Sequence, residues 1–156
     1  MLRKQRKCGW LIAIAVYAIA LTAWLTPLLA DAEEPPLAIQ GYSPVSYFER
    51  GRAEPGQPEF TAVHNGLRYQ FTDAEQRAAF QANPARYEPL FTEHCPYSLT
   101  LGRAVAIDPE NFRIVDGHLL LFHRSEEMDG LEEWNAADDD QGLLEQARSQ
   151  YTLFRF

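Results

Sequence analysis

Residues 59–71 read EFTAVHNGLRYQF, two alternating apolar and polar runs on either side of Asn65-Gly66. That dipeptide suits a type I′ turn, in which both central residues take positive φ, so the stretch predicts a β-hairpin. The turn sets the register: His64 opposite Leu67, Ala62 opposite Tyr69 and Phe60 opposite Phe71, all on one face. Residues 111–123, NFRIVDGHLLLFH, repeat the pattern around Asp116-Gly117. There Val115 should face His118, Ile114 Leu119, and Phe112 Leu121. The face carrying Phe112, Ile114, Leu119 and Leu121 is expected to join the apolar face of the first hairpin.

Helical signals surround these hairpins. Residues 43–51, SPVSYFERG, predict one or two turns of helix begun at Ser43, with Pro44 in the first position and a stop at Gly51. In TDAEQRAAF, residues 72–80, Thr72 and Glu75 have capping-box spacing, which predicts a helix from Asp73 to about Ala82 burying Ala79 and Phe80. Asn83-Pro84 stops it and starts another turn, and residues 91–100, FTEHCPYSLT, read as a loop because Pro96 and the later Gly102 punctuate them. Toward the end, Ser125 is the expected N-cap, Trp134 an anchor, and Leu143, Leu144, Ala147 and Tyr151 one face of a last helix. The fold class is therefore α+β: two β-hairpins packed with helices in one small domain.

The beginning of the chain reads differently. Arg3, Lys4, Arg6 and Lys7 precede an apolar run from about Trp10 to Thr26, and Pro27 and an Ala30-x-Ala32 site follow. Residues 1–32 are thus expected to be an export signal cleaved before Glu33, with 33–36 a short linker and 37–156 the domain. An uncleaved inner-membrane anchor is the alternative, because the apolar stretch approaches the roughly 20 residues that span a bilayer. The n-region holds no paired arginines, which favours the general export route. The expected location is the periplasm or the outside, without stable membrane insertion after cleavage.

Removing residues 1–32 takes four of the 14 basic and one of the 22 acidic residues, leaving 10 against 21 and a formal charge of −11. Such a surface repels nucleic-acid phosphates, so nucleic acid is not an expected partner. Lys4 and Lys7 are the only lysines, so the exported part could form no lysine Schiff base or lysine phosphate clamp. Cys8 lies in the signal, leaving Cys95 as the single remaining thiol and excluding an intrachain disulfide.

Residues 38–91, from AIQGYSPVSYF through the first hairpin to PARYEPLF, resemble the YHS domain in its exported form. That family opens on Gly-Tyr-Asp-Pro-Val-x-Tyr-Phe, continues into a hairpin and reaches a helix with Pro-x-x-Tyr; here Ser43 replaces the Asp. DPENFRIVDGHLLLF, residues 108–122, resembles the same proteins' second hairpin, so the likeness covers roughly residues 37–134. It implies a treble-clef-like module related to soft-metal binders. The family's metal-binding members carry thiolates where this chain has residues about Tyr42 to Val45, and Thr72, so their site does not transfer. His64 matches the histidine of the family name, and Cys95 matches the cysteine of a family loop that usually reads Gly-Tyr-Cys or Gly-His-Cys, with Glu93 in place of its glycine. The exported branch has no settled activity.

The residues leave three readings of His94-Cys95 open. Cys95 with His94, His64 and His123 would be a soft donor set for copper or zinc. Neighbours in an extended segment point to opposite sides, however, so His94 and Cys95 would need a bent loop to share an ion. A thiol enzyme would need a low-pKa Cys95 with a base and an orienting group, which the sequence does not display, so no catalytic residue is assigned. Third, Cys95 is a buried small apolar side chain. His118, beside Gly117, is expected to face solvent. The Asp138-Asp139-Asp140 run lacks the spaced ligands and glycine of a calcium loop and reads as a solvated helix start. The functional expectation is an accessory or binding module, with a soft transition metal as first candidate ligand. Its rival is a metal-free protein-interaction domain with an unidentified protein partner.

Overall fold

A computed structural model of the chain describes residues 34–154, which apart from Glu34 belong to one compact unit, Pro35–Phe156. The expected signal or anchor, residues 1–32, lies outside the described residues. Among the described residues no helix is long and apolar enough to cross a membrane. The unit is α+β, with a 3₁₀ turn at Ala38–Gly41 followed by α1 (Pro44–Glu49), β1 (Gln57–His64), β2 (Leu67–Phe71) and α2 (Ala74–Ala82). Then come α3 (Pro84–Tyr87), α4 (Pro96–Thr100), β3 (Phe112–Val115), β4 (His118–Leu121), α5 (Gly130–Ala137) and α6 (Asp140–Phe154).

Both hairpins turn where their dipeptides dictate. Asn65 and Gly66 have φ of 50° and 78°, and Asp116 and Gly117 have 49° and 76°, the left-handed pair that a type I′ turn requires. β3–β4 keeps the expected register throughout, from Val115 opposite His118 to Phe112 opposite Leu121. β1–β2 keeps it only near the turn, through Thr61 opposite Gln70; Phe71 then pairs with Gln57 rather than Phe60. Gly56 explains the break, because a Cβ there would stand 2.6 Å from the Gln70 carbonyl carbon, so the two backbones close tightly just before β1. The residues between Gln57 and Thr61 bulge out of the ladder.

The apolar side chains divide into two cores. In the first, Ile39, Val45, Tyr47, Tyr69, Phe71, Phe80 and Tyr87 meet beneath the first hairpin. In the second, Cys95, Leu99, Phe122, Trp134, Leu144 and Ala147 meet between α4, α5 and α6. The second hairpin serves both, since successive strand residues point to opposite faces. Leu119 and Leu121 enter the first core, while Val115, Leu120 and Phe122 enter the second. The expectation of one buried face was therefore too narrow, and Ile114, placed on that face, is 38% exposed.

Several helix starts also differ from the reading of local spacing. α2 is capped not by Thr72 but by Asp73, whose Oδ1 accepts the Gln76 N–H at 2.8 Å. A carboxylate one residue later is the stronger acceptor. Gln76 is then buried, and it joins Ser43 Oγ (2.6 Å) and Ser46 Oγ (3.0 Å) to tie α1 to α2. Ser125 closes a turn onto the Glu127 and Met128 N–H groups, and Asp129 caps α5 through Leu131 and Glu132. Pro96 does not end structure but begins α4 from its first position. The last helix buries Leu144 and Ala147 and packs Leu143 and Tyr151 against them, and Trp134 is fully buried, both as expected.

Candidate functional site

The loop that carries His94 and Cys95 runs from the end of α3 to α4, and it is shaped by backbone bonds. The His94 N–H donates to the Phe91 carbonyl at 3.1 Å, the Cys95 N–H donates to Val105 at 2.9 Å, and His94 forms an isolated bridge with Ala106. The chain turns over Phe91–His94 and straightens at Cys95, and the two side chains have different neighbours. The His94 ring lies 5.9 Å from the Tyr151 ring, whereas Cys95 enters the second core with 0% exposure. Thr92, with φ of 54°, turns the chain into this run, and its hydroxyl lies 2.9 Å from the Tyr151 hydroxyl.

Cys95 fits its site with no spare volume on the side of α5. A Cβ built on Gly130 would stand 2.8 Å from Cys95 Sγ and 3.3 Å from the His123 carbonyl oxygen. Gly130 has no positive φ, so the glycine is required by space and not by conformation. Its N–H donates to that same His123 carbonyl at 2.9 Å, which clamps the start of α5 against the end of the second hairpin. No local pattern signals that Gly130, so distant along the chain, would face this thiol.

The four histidines are distributed rather than gathered. His123 Nδ1 lies 3.0 Å from the Ala106 carbonyl, so His123 attaches to Ala106 through its ring and His94 through its backbone bridge. His64 lies at the rim of the first core: its ring stands edgewise to Phe80 at 5.9 Å and its Nε2 is 3.5 Å from Glu88 Oε2. His118 is half-buried at the start of β4. Among the described residues no three His, Cys, Asp or Glu side chains are grouped so as to hold a metal ion. The acidic run is structural as well as solvated. Asp139 Oδ1 accepts the Gly142 N–H at 2.9 Å, and Asp140 accepts Trp134 Nε1 at 2.6 Å and Arg113 at 2.8 Å.

A feature missed at the level of sequence lies across from this loop. Ile39 and Gln40 both adopt left-handed backbone, with φ of 51° at each, and Gly41 follows at 88°. A β-branched residue resists this conformation by about 1–2 kcal/mol. The turn is held by bonds from outside it: the Ile39 N–H donates to Glu93 Oε1 at 3.0 Å and Gln40 Nε2 to the Ile107 carbonyl at 2.9 Å. Burial of the Ile39 side chain, 1% exposed, adds to them. Glu93 thus couples the opening turn to the Cys95 loop. Gly41 was the sole cue to it in the sequence.

Tyr47 and Tyr69 are buried, and loss of hydration pushes both phenols well above their ordinary range. Tyr47 donates to the Pro109 carbonyl at 2.9 Å. No family model, no curated protein and no solved structure matches this chain.

Proposed function

We propose that the chain is an exported, YHS-like accessory domain that works by binding a protein partner through its surface, with Cys95 as a packed structural thiol. One observation carries the choice over a soft-metal site: the sulfur is fully buried, and it packs so close to Gly130 that a Cβ there would stand 2.8 Å from it. The His94 ring lies 5.9 Å from the Tyr151 ring, and His64 lies beside Phe80 of the other core. The resemblance of residues 38–91 and 108–122 to exported YHS domains supports the family assignment. The basic n-region, apolar run and Ala-x-Ala site support export.

The test is native mass spectrometry of the purified chain with added Cu(I), Zn(II) or haem, beside a Cys95→Ser variant. The reading expects no adduct that depends on Cys95, and it expects the thiol to react with a disulfide reagent only when the chain is unfolded. A stoichiometric copper or zinc adduct lost in Cys95→Ser would overturn it in favour of the metal site.

A further inference from the structure

β1 has one closed edge and one open edge. On the closed side, the Arg68 N–H of β2 turns away from β1 and donates to the Pro36 carbonyl at 2.9 Å, and Leu37 bridges Arg68 in parallel. In an antiparallel ladder, directly opposed residues either exchange both their backbone bonds or both turn them outward. Arg68 turns outward, so its partner Val63 does too, off the opposite edge. Thr61, two residues along and opposite Gln70, repeats that orientation. Among the described residues this sheet has two strands, and no bridge reaches the β1 edge. Val63 is 60% exposed there. Beside it runs a shallow groove of about 210 Å³, lined by Ala62, Val63, His64, Phe80, Gln81 and Pro84.

We infer that the Thr61–Val63 edge and this groove receive an extended segment of a partner protein, added to β1 as a further strand, with an apolar side chain in the groove and basic residues on either side. The inference rests on the protein-interaction reading above and gives it a surface. Outward N–H and C=O groups recognise another backbone, and a groove at the strand's side reads alternate side chains. Charge selects the occupant. Exposed Glu59 lies toward one end of the edge, and Glu88, beside His64, lies at the other. A chain of net charge −8 repels a second copy of itself but attracts a segment flanked by arginine or lysine. Pro58 and the break in register beyond Thr61 confine the open ladder to a few residues, which suits a short segment.

The probe is a fluorescein-labelled peptide, Arg-Thr-Val-Thr-Val-Thr-Arg, titrated into the purified full chain and followed by anisotropy and amide NMR. Two further versions are N-methylated, one at the valines and one at the threonines. Strand addition expects shifts at the Thr61 and Val63 amides, and it expects one methylated set to lose at least about tenfold in affinity while the other binds as before. Val63→Pro should weaken binding as much, and an edge strand tolerates it because the lost N–H has no partner in the fold. Equal binding of both methylated peptides, unchanged binding by a Val63→Pro variant of native circular dichroism, or no binding at millimolar peptide would overturn the proposal. Self-association abolished by Val63→Pro would overturn it in favour of a second copy. None of these outcomes touches the Cys95 test, and a Cys95-dependent metal adduct would remove the wider reading without altering the edge.

Discussion

Around the first hairpin, buried polar side chains find one another. Ser43, Ser46 and Gln76, each no more than 1% exposed, bond to one another and fix α1 against α2, and Ser46 Oγ also reaches Glu54 Oε2 at 2.8 Å. Around Cys95 the arrangement is the reverse. Ser98, fully buried in α4, has a hydroxyl with no hydrogen-bond partner among the described residues, and the local fit is set by sulfur against glycine. The Ser43–Ser46–Gln76 set is specified by directional bonds, and the surroundings of Cys95 and Ser98 by volume. Hydrogen-bonded sets tolerate few alternatives because an unpaired member costs about 1–3 kcal/mol, whereas a packed set resists any change in size. The second hairpin, with Leu119 and Leu120 at 0% and 1% exposure on opposite faces, joins the two.

The sharpest way to break this comparison is to cut each core from the same strand. Leu119→Ala and Leu120→Ala should each cost about 2–5 kcal/mol, since each leaves a cavity in a closed core. If the halves fold as one unit, hydrogen exchange should speed up in both cores for either variant. Exchange confined to the core that was cut would show that the halves are separately cooperative, and the joining role of β4 would be lost.

Gly130→Ala comes next, and it tests the claim that volume rules the surroundings of Cys95. The added methyl meets Cys95 Sγ and should cost about 1–3 kcal/mol. Cys95→Ala removes the obstructing sulfur, so in the Gly130→Ala background it should recover a large part of that loss. A coupling of about 1 kcal/mol or more in chemical denaturation is expected from the double-mutant cycle. Additive effects would mean that the glycine serves some purpose other than room for the thiol.

How much of this was legible follows the same division. Asn65-Gly66 and Asp116-Gly117 announced both turns and, at Ala62, Ile114 and their neighbours, the register too, because a turn type is a local property. Trp134 and the Leu144–Ala147 face were legible from periodicity. The break at Phe60 was not, because it depends on Gly56 closing on Gln70, a contact between distant residues. Nor was the left-handed Ile39, a residue whose type argues against its backbone and which is held by Glu93, 54 positions away. For the site, residue type singled out Cys95, but its burial and the separation of His64 from it arise only on folding.

Acid should act on both halves together. In the first, the Gln76 N–H, then Thr72 and Arg50, hold the Asp73 carboxyl below its ordinary range. In the second, burial pushes Asp129 up, but Asn111, the Glu132 and Leu131 N–H groups and Arg124 prevail and lower it. A carboxyl lowered in the folded state binds its proton more readily when unfolded. Both caps therefore contribute stability above the ordinary carboxylate range near pH 4, and lose it as pH falls through their folded values. Thermal melts between about pH 6 and pH 3 should show a fall that is reduced in Asp73→Asn and in Asp129→Asn, since each Asn retains a cap without the titration.

The smallest expected effect sharpens the comparison most, because it asks for a gain. Ser98→Ala removes a buried hydroxyl that has no partner among the described residues, and it leaves the volume almost unchanged. Replacing an unsatisfied buried group by an apolar one of similar shape should leave stability unaltered or raise it by up to about 1 kcal/mol. Ser43→Ala makes the same chemical change in the other core, where Ser43 Oγ donates to Gln76 Oε1 at 2.6 Å. There the loss removes the shortest of three bonds to that oxygen, the others coming from Ser46 Oγ at 3.3 Å and the Thr72 N–H at 3.4 Å, and should cost about 0.5–1.5 kcal/mol. Opposite signs for the same substitution, measured by chemical denaturation under one set of conditions, would establish that a directional bond holds the site of Ser43 and packing that of Ser98. A loss of more than about 1 kcal/mol in Ser98→Ala would reveal a bond from that hydroxyl and dissolve the distinction.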